Sequence, residues 1–253
     1  MIVTLSQISP KLSRDNFDMH ENEIKKVIGK SDVIVFPELS MNGYTLMDSV
    51  YEDAFMLDEF AMFENLSQDI DIVLGAVTKE SHKIYNSALY FSKGKLLSIH
   101  HKNNLPNYGM FQEARFFFEG DSMAMFDTKF GKTMMLVCED LWRSSTIDVV
   151  ATQKPDVLFV IANSPARDFS DGMLGIEKQW TRILSTTAIL SGAHVIFTNR
   201  VGFEDGLGFW GGSKVINPNG KIEKQAVLFE KEQLSIRIDR NLSSVQKYLL
   251  RTN

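Results

Sequence analysis

Three stretches of this chain carry an apolar run into a reactive side chain. In residues 131–142, GKTMMLVCEDLW, the run Met134 to Val137 ends in Cys138, the only cysteine among 253 residues, followed by Glu139 and Asp140. Glu38 follows the apolar run VIVF and Pro37 in the stretch FPELSMNGY, residues 36–44. Lys102 closes a third run and opens the aromatic stretch HHKNNLPNYGMFQEARFFFEG, residues 100–120. Short apolar runs of this kind read as buried strands. In α/β folds, ligands lie outside the carboxyl ends of strands. A thiol, a carboxylate and an ammonium on one such rim supply a nucleophile, a proton acceptor and a counter-charge, the parts needed for covalent attack on a carbonyl carbon. Singly, each has a plainer reading: a small buried hydrophobe for Cys138, a turn acid for Glu38 and a solvated hairpin lysine for Lys102. Their joint occurrence in this order favours the reactive reading.

The elements that must position them alternate between strand and helix. Strands are predicted over Ile2 to Ile8, Asp32 to Phe36, Asp71 to Val77, Asn86 to Phe91, Lys95 to His101, Ala124 to Thr128, Lys132 to Val137, Val157 to Ala162, His194 to Asn199, Gly211 to Ile216, Lys221 to Val227 and Gln233 to Ile238. Helices are predicted over Asp15 to Ile28, Ala54 to Leu66 and Glu177 to Gly192, with a long aromatic loop over 103–122 and a polar tail after residue 238. Hairpin turns fall at Ser92-Lys93-Gly94 and Pro218-Asn219-Gly220. The alternation gives an α/β fold. With no linker or low-complexity segment, one domain over residues 1–253 is expected.

Composition excludes several classes. A net charge of −5 without a Lys/Arg cluster offers no nucleic-acid footprint. No apolar run approaches the ~20 residues of a membrane helix, and the N-terminus MIVTLSQISP lacks the features of a signal peptide. One cysteine forms no intrachain disulfide, which fits a reducing, cytoplasmic setting. No C-x-x-C, H-E-x-x-H or EF-hand pattern is present, so neither a metal nor another cofactor is expected.

With these motifs in view, the chain resembles the nitrilase, or carbon–nitrogen hydrolase, superfamily over nearly its whole length. That family's Glu-Lys-Cys triad falls on Glu38, Lys102 and Cys138, and its second glutamate on Glu113. The stretch NRVGFEDGLGFWGGSKVINPNG, residues 199–220, is similar to the family's closing motif. KNNLPNYGMFQEARFF and CEDLW look most like the glutaminase domain of glutamine-dependent NAD synthetases, although no Ser-Gly-Gly-type pyrophosphate loop is present and NSPARDF, residues 163–169, matches only in part. The resemblance implies a four-layer α-β-β-α sandwich of two packed mixed sheets with helices outside. It also implies a homodimer or larger homo-oligomer acting on a small amide or ureido substrate, or association with a separate synthetase that consumes ammonia.

The chemistry follows from the side chains. A free thiol has a pKa of about 8.5 and holds little thiolate at neutral pH, so Cys138 needs a base, and Glu38 is the candidate. Lys102 and the backbone N–H of Glu139 would stabilise the tetrahedral oxyanion. The resemblance gives Glu113 the task of orienting Lys102 or substrate. Tyr108, Glu139, Asn163 and Arg200 are candidate substrate contacts, Arg200 with a structural ion pair as its other reading. Rivals are a cysteine–histidine hydrolase using His100, His101 or His194, and an inactive scaffold of the same fold. Amide, N-carbamoyl amino acid and nitrile remain open as substrates, and CEDLW tilts toward the amide.

Overall fold

The computed structural model describes residues 1–44, 47–170 and 172–250; the end of the predicted polar tail, 251–253, lies outside the described residues. Strand β1 (Ile2–Gln7) leads through α1 (Phe17–Lys25) to β2 (Val33–Val35). Short helices α2 (Val50–Asp53) and α3 (Ala61–Leu66) precede β3 (Asp71–Glu80), β4 (Lys83–Ser92) and β5 (Lys95–His101). After α4 (Glu113–Phe116) come β6 (Phe126–Thr128), β7 (Gly131–Val137), α5 (Ser144–Gln153) and β8 (Val157–Ala162). A two-residue ribbon, β9 (Phe169–Ser170) with β10 (Met173–Leu174), leads into α6 (Gly175–Ser191) and β11 (His194–Asn199). The hairpin of β12 (Val201–Glu204) and β13 (Leu207–Trp210) precedes β14 (Lys214–Ile216), β15 (Ile222–Gln225), β16 (Glu232–Arg237) and α7 (Asn241–Leu249).

These strands form two mixed six-stranded sheets, ordered β16-β1-β2-β3-β4-β5 and β15-β14-β11-β8-β7-β6. Strands β1, β2 and β3 are mutually parallel, as are β7, β8 and β11. Alternation along the central strands explains why their sequences are apolar without a break. Val157, Phe159 and Ile161 of β8 enter a core shared with Val3, Val33 and Tyr90 of the other sheet. Leu158, Val160 and Ala162 of the same strand face Trp180, Leu184 and Ala188 of α6. Ile34 of β2 likewise turns outward onto Ile24 of α1 and Phe63 of α3. A strand covered on both faces has no polar side to spare. The layering is helix, sheet, sheet, helix, as the resemblance implied.

Local departures from the expected elements have physical reasons. Asn16 spends its side chain on the carbonyls of Lys11, Ser13 and Met41, so α1 begins only at Phe17. The helix predicted over Ala54 to Leu66 starts late because Phe55 forms a bridge to Thr78 of β3. Helix α5, rich in Ser, Thr and Val, has weak helix formers and gave no signal. The β12–β13 hairpin and α7, the latter inside the predicted polar tail, were also unforeseen.

Candidate active site

Direction in the sheets sets the rim. Strand β5 is antiparallel to β4, which is antiparallel to β3, so β5 runs with β2 and β3. Glu38 beyond β2 and Lys102 beyond β5 therefore emerge at one end of the first sheet. Cys138 beyond β7 and Asn163 beyond β8 emerge together from the second.

Glu38 sits on a turn that lies against β3. A Cβ on Gly75 would meet Leu39 N at 2.4 Å and Glu38 Cα at 2.7 Å, so only glycine lets the turn approach this closely. Cys138 opens a 3-10 turn, Cys138–Trp142, with φ at +44°, a left-handed conformation unusual for a residue with a side chain. The sharp exit from the strand leaves Cys138 half-buried at the strand end, packed against the margins of both cores.

The charged groups interlock. Lys102 Nζ donates to Glu38 Oε1 at 2.8 Å and to Glu113 Oε1 and Oε2 at 2.8 and 2.7 Å. Glu38 Oε1 also accepts from Asn86 Nδ2 at 2.8 Å, and Oε2 accepts from the backbone N–H of Asn163 at 2.7 Å. A carboxylate offers about four lone-pair directions. Three of Glu38's are occupied, leaving one on Oε2. Glu38, Glu113 and Cys138 line one narrow cavity with Tyr44, Tyr108, Glu139, Trp142, Asn163, Ser164 and Arg167.

Electrostatics follow from burial and proximity. Burial alone would depress the Lys102 ammonium, but Glu113 and Glu38 beside it push it well above the usual lysine range. Burial pushes Glu113 up to about 7 against the pull of Lys102, with the charge of Glu38 adding to the rise. Burial, then Glu38, raises the Cys138 thiol well above its ordinary value, while Lys102 pulls it down. Burial and the neighbouring carboxylates thus favour the neutral form of the thiol, and the same carboxylates favour the charged form of the lysine.

Other predicted residues divide. Tyr108 OH donates to Glu139 Oε2 at 2.9 Å, and Glu139 also pairs with Arg143 at 3.3 Å, so both sit at the cavity wall. Asn163 lines the cavity beside Glu38. Arg200 is not among the residues that line it, and its contacts are those of the ion-pair reading. Its guanidinium is fully buried, donates to Glu204 Oε2 at 2.8 Å and stacks 4.3 Å from the Phe209 ring centroid. The ion pair is a clasp within the β12–β13 hairpin, whose Glu204 also accepts from the backbone N–H of Tyr44.

The histidine alternative does not fit: His100 is bonded to Asp140, His101 to Ser87 and Glu80, and His194 lines a separate cleft with Asp156 and Arg240. Among the described residues, no group of three or more His, Cys, Asp or Glu side chains is placed to hold a metal ion.

Sequence reasoning missed four residues of this site. Tyr44, noted only as the end of a motif, donates its OH to Glu113 Oε1 at 2.9 Å. Asn86, inside β4, holds the Glu38 carboxylate. Arg167 lines the cavity from the loop after β8. Asp140 accepts from His100, from the backbone N–H of Val137 and from those of Asn103 and Asn104, tying the turn of the nucleophile to the segment after Lys102. Burial would raise the Asp140 carboxyl, but His100 and the Val137 N–H hold it below the usual range. Its position two residues after Cys138 was the one available signal.

A buried carboxylate–ammonium–carboxylate chain beside a strand-end thiol defines a class of amide-bond chemistry, and comparison with known proteins agrees. The family model for carbon–nitrogen hydrolases matches residues 2–248, and the chain belongs to that family. A glutamine-dependent NAD(+) synthetase of Acinetobacter baylyi is 31% identical over 239 residues, covering 91% of this chain and 42% of the relative. The solved glutamine-dependent NAD+ synthetase of Acinetobacter baumannii superposes with a TM-score of 0.83 at 30% identity, over 96% of this chain and 46% of that one. A carbon–nitrogen hydrolase from Helicobacter pylori superposes with a TM-score of 0.87 at 23% identity, over 99% and 93% of the two chains, a likeness of fold. The chain therefore spans less than half the length of the synthetases it matches.

Proposed function

We propose that this hydrolase converts a small linear carboxamide, glutamine or a similar ω-amide, to its acid and ammonia through a thioester on Cys138. The carrying observation is the single unoccupied lone pair of Glu38, on Oε2, in a carboxylate that shares its cavity with the thiol. Glu38 takes the thiol proton as sulfur attacks the carbonyl carbon. Lys102 and the Glu139 N–H stabilise the oxyanion. The three ammonium hydrogens of Lys102 face carboxylate oxygens at rest, so Lys102 acts first as a buried positive charge, and a hydrogen shared with Glu113 can turn to the oxyanion. Glu38 returns its proton to the nitrogen, and ammonia leaves. Water, deprotonated by Glu38, then attacks the thioester, releasing the acid and restoring the thiol. Arg167, the cation on the cavity wall, is suited to a carboxylate at the far end of the substrate.

Glutamine is favoured among the amides because the relatives that cover most of this chain are named as glutamine-dependent enzymes. Ammonia release from glutamine, succinamate, an N-carbamoyl amino acid and an aliphatic nitrile tests the reading. Turnover of amides, lost in Cys138→Ala with the fold intact, is expected; turnover of the nitrile or ureido acid alone overturns it.

A second reading rests on the names of those relatives. They are glutamine-dependent synthetases, so ammonia from this site would serve an acceptor reaction that consumes it. We place that work in the reducing cytoplasm, by a homo-oligomer. No helix among the described residues is long and apolar enough to cross a membrane.

A further inference from the structure

Asn163 carries more than its backbone N–H. The residue is 2% exposed and lines the catalytic cavity, yet neither Nδ2 nor Oδ1 of its side chain has a partner within the protein. Its main chain is fixed on both sides: its own N–H holds Glu38 Oε2 at 2.7 Å, and the next N–H, of Ser164, donates to Asn199 Oδ1 at 2.9 Å. A buried polar group left unpaired costs free energy, and such groups in native proteins call for an explanation. Asn86 is a partial contrast: its Nδ2 is bonded to Glu38, and only its Oδ1 lacks a partner, whereas Asn163 has neither atom paired. The Asn163 carboxamide is thus a rigidly mounted donor–acceptor pair, next to the catalytic acid, with its hydrogen bonds unspent.

What remains for it to meet can be worked out by elimination. Lys102 and the Glu139 N–H claim the substrate's carbonyl oxygen, and Cys138 its carbon. The nitrogen is left. When the tetrahedral intermediate collapses, the nitrogen lone pair must face the proton on Glu38, so its N–H bonds must point elsewhere, toward an acceptor. Resting on the amidase reading above, we infer that Asn163 reads the leaving nitrogen. Oδ1 accepts one substrate N–H and turns the nitrogen lone pair toward Glu38. Bonds and protons balance within the same step: the C–N bond breaks, Glu38 gives its proton to nitrogen, and Asn163 releases ammonia without changing its own protonation. The site thereby favours leaving groups that bear an N–H over those that bear none, because a site built around a hydrogen bond discriminates against the analogue that cannot make it.

Paired substrates with a common acyl group isolate this contact: L-glutamine against the γ-methyl ester of L-glutamate, and succinamate against monomethyl succinate. Each ester keeps the carbonyl oxygen and lacks the N–H. In Asn163→Leu, which matches the side chain in shape and removes both polar atoms, kcat/KM for the amide is expected to fall about 10-fold further than for the ester, one hydrogen bond's worth. The difference should reside mainly in kcat. Asn163→Ser, smaller and still polar, provides a second variant and should show the same sign. Thermal unfolding separates this from a structural role, since removing unpartnered buried polar atoms leaves the melting temperature of Asn163→Leu unchanged or raised. Equal loss on amide and ester, or a lowered melting temperature with parallel loss on both, overturns the inference while leaving the amidase reading intact. A wild-type protein that turns over neither amide overturns the amidase reading itself, and this inference with it.

Discussion

Replacing Lys102 with methionine separates the two tasks its ammonium performs. The ammonium is 1% exposed and lies 2.7–2.8 Å from three carboxylate oxygens, so Lys102→Met leaves Glu38 and Glu113 buried together without a cation. Breaking a buried ion pair by deleting one partner typically costs about 3–5 kcal/mol, or roughly 6–20 °C in melting temperature for a chain of this size. Loss of an oxyanion stabiliser costs about 10²–10³ in kcat.

The pH dependence has a definite sign. Glu113 has a folded-state pKa of about 7, above its ordinary value of 4.5, so its contribution to stability is full below 4.5 and is lost as pH rises through 7. Without the pull of Lys102 that pKa rises further, and the loss continues above pH 7 in the variant after it has ended in the wild type. The gap in melting temperature should therefore widen between pH 7 and 9. The double variant Lys102→Met with Glu113→Gln should close the widening and recover part of the stability, with activity still absent. Calorimetry across pH 6–9, alongside ammonia release, reads both tasks. A gap that stays flat across that range, or a double variant that regains turnover, would refute the reasoning.

Glu38 is the charge that raises the Cys138 thiol most after burial, while Lys102 lowers it. Glu38→Gln should thus abolish amide turnover yet speed alkylation by iodoacetamide at pH 8; slower alkylation would contradict the electrostatic account. Gly75→Ala should lower both melting temperature and kcat, because the new Cβ sits 2.4 Å from Leu39 N and must displace the turn that bears the base; the overpacking is worth about 1–3 kcal/mol. Glu204→Gln should destabilise through the buried Arg200 charge, with the KM of the surviving enzyme near that of wild type; a large KM change would return Arg200 to the substrate.

Glu38 and Cys138 stood out in the sequence because each follows an apolar run buried on both faces, whereas Lys102 follows the half-exposed edge strand β5 and stood out by the aromatic stretch it opens. The residues that hold them did not. Asn86 lies 48 positions from Glu38, Tyr44 lies 69 from Glu113, and Asp140 lies 36 from Asn104, and nothing local in a sequence announces such pairings. An ion pair was one of the two readings of Arg200, but its partner, Glu204, was not legible because it belongs to a hairpin with no recognised turn. Fold class was readable from alternation, but the four layers came from family resemblance. Helix α5 stayed hidden because its Ser, Thr and Val residues are weak helix formers, and α7 because it lies in a polar stretch of which only Ser243 is buried.

Proton acceptor and ammonium ride on one sheet, while the sulfur rides on the other. Neither slab alone contains an enzyme. Sliding one against the other by a fraction of an ångström would pull the reacting pair apart without breaking a single strand, so the large interleaved side chains between them, Tyr90 against Phe159 with ring centroids 5.9 Å apart, set the gauge of the chemistry from a distance. Asp140, gripping backbone from both slabs, is the bolt through that joint.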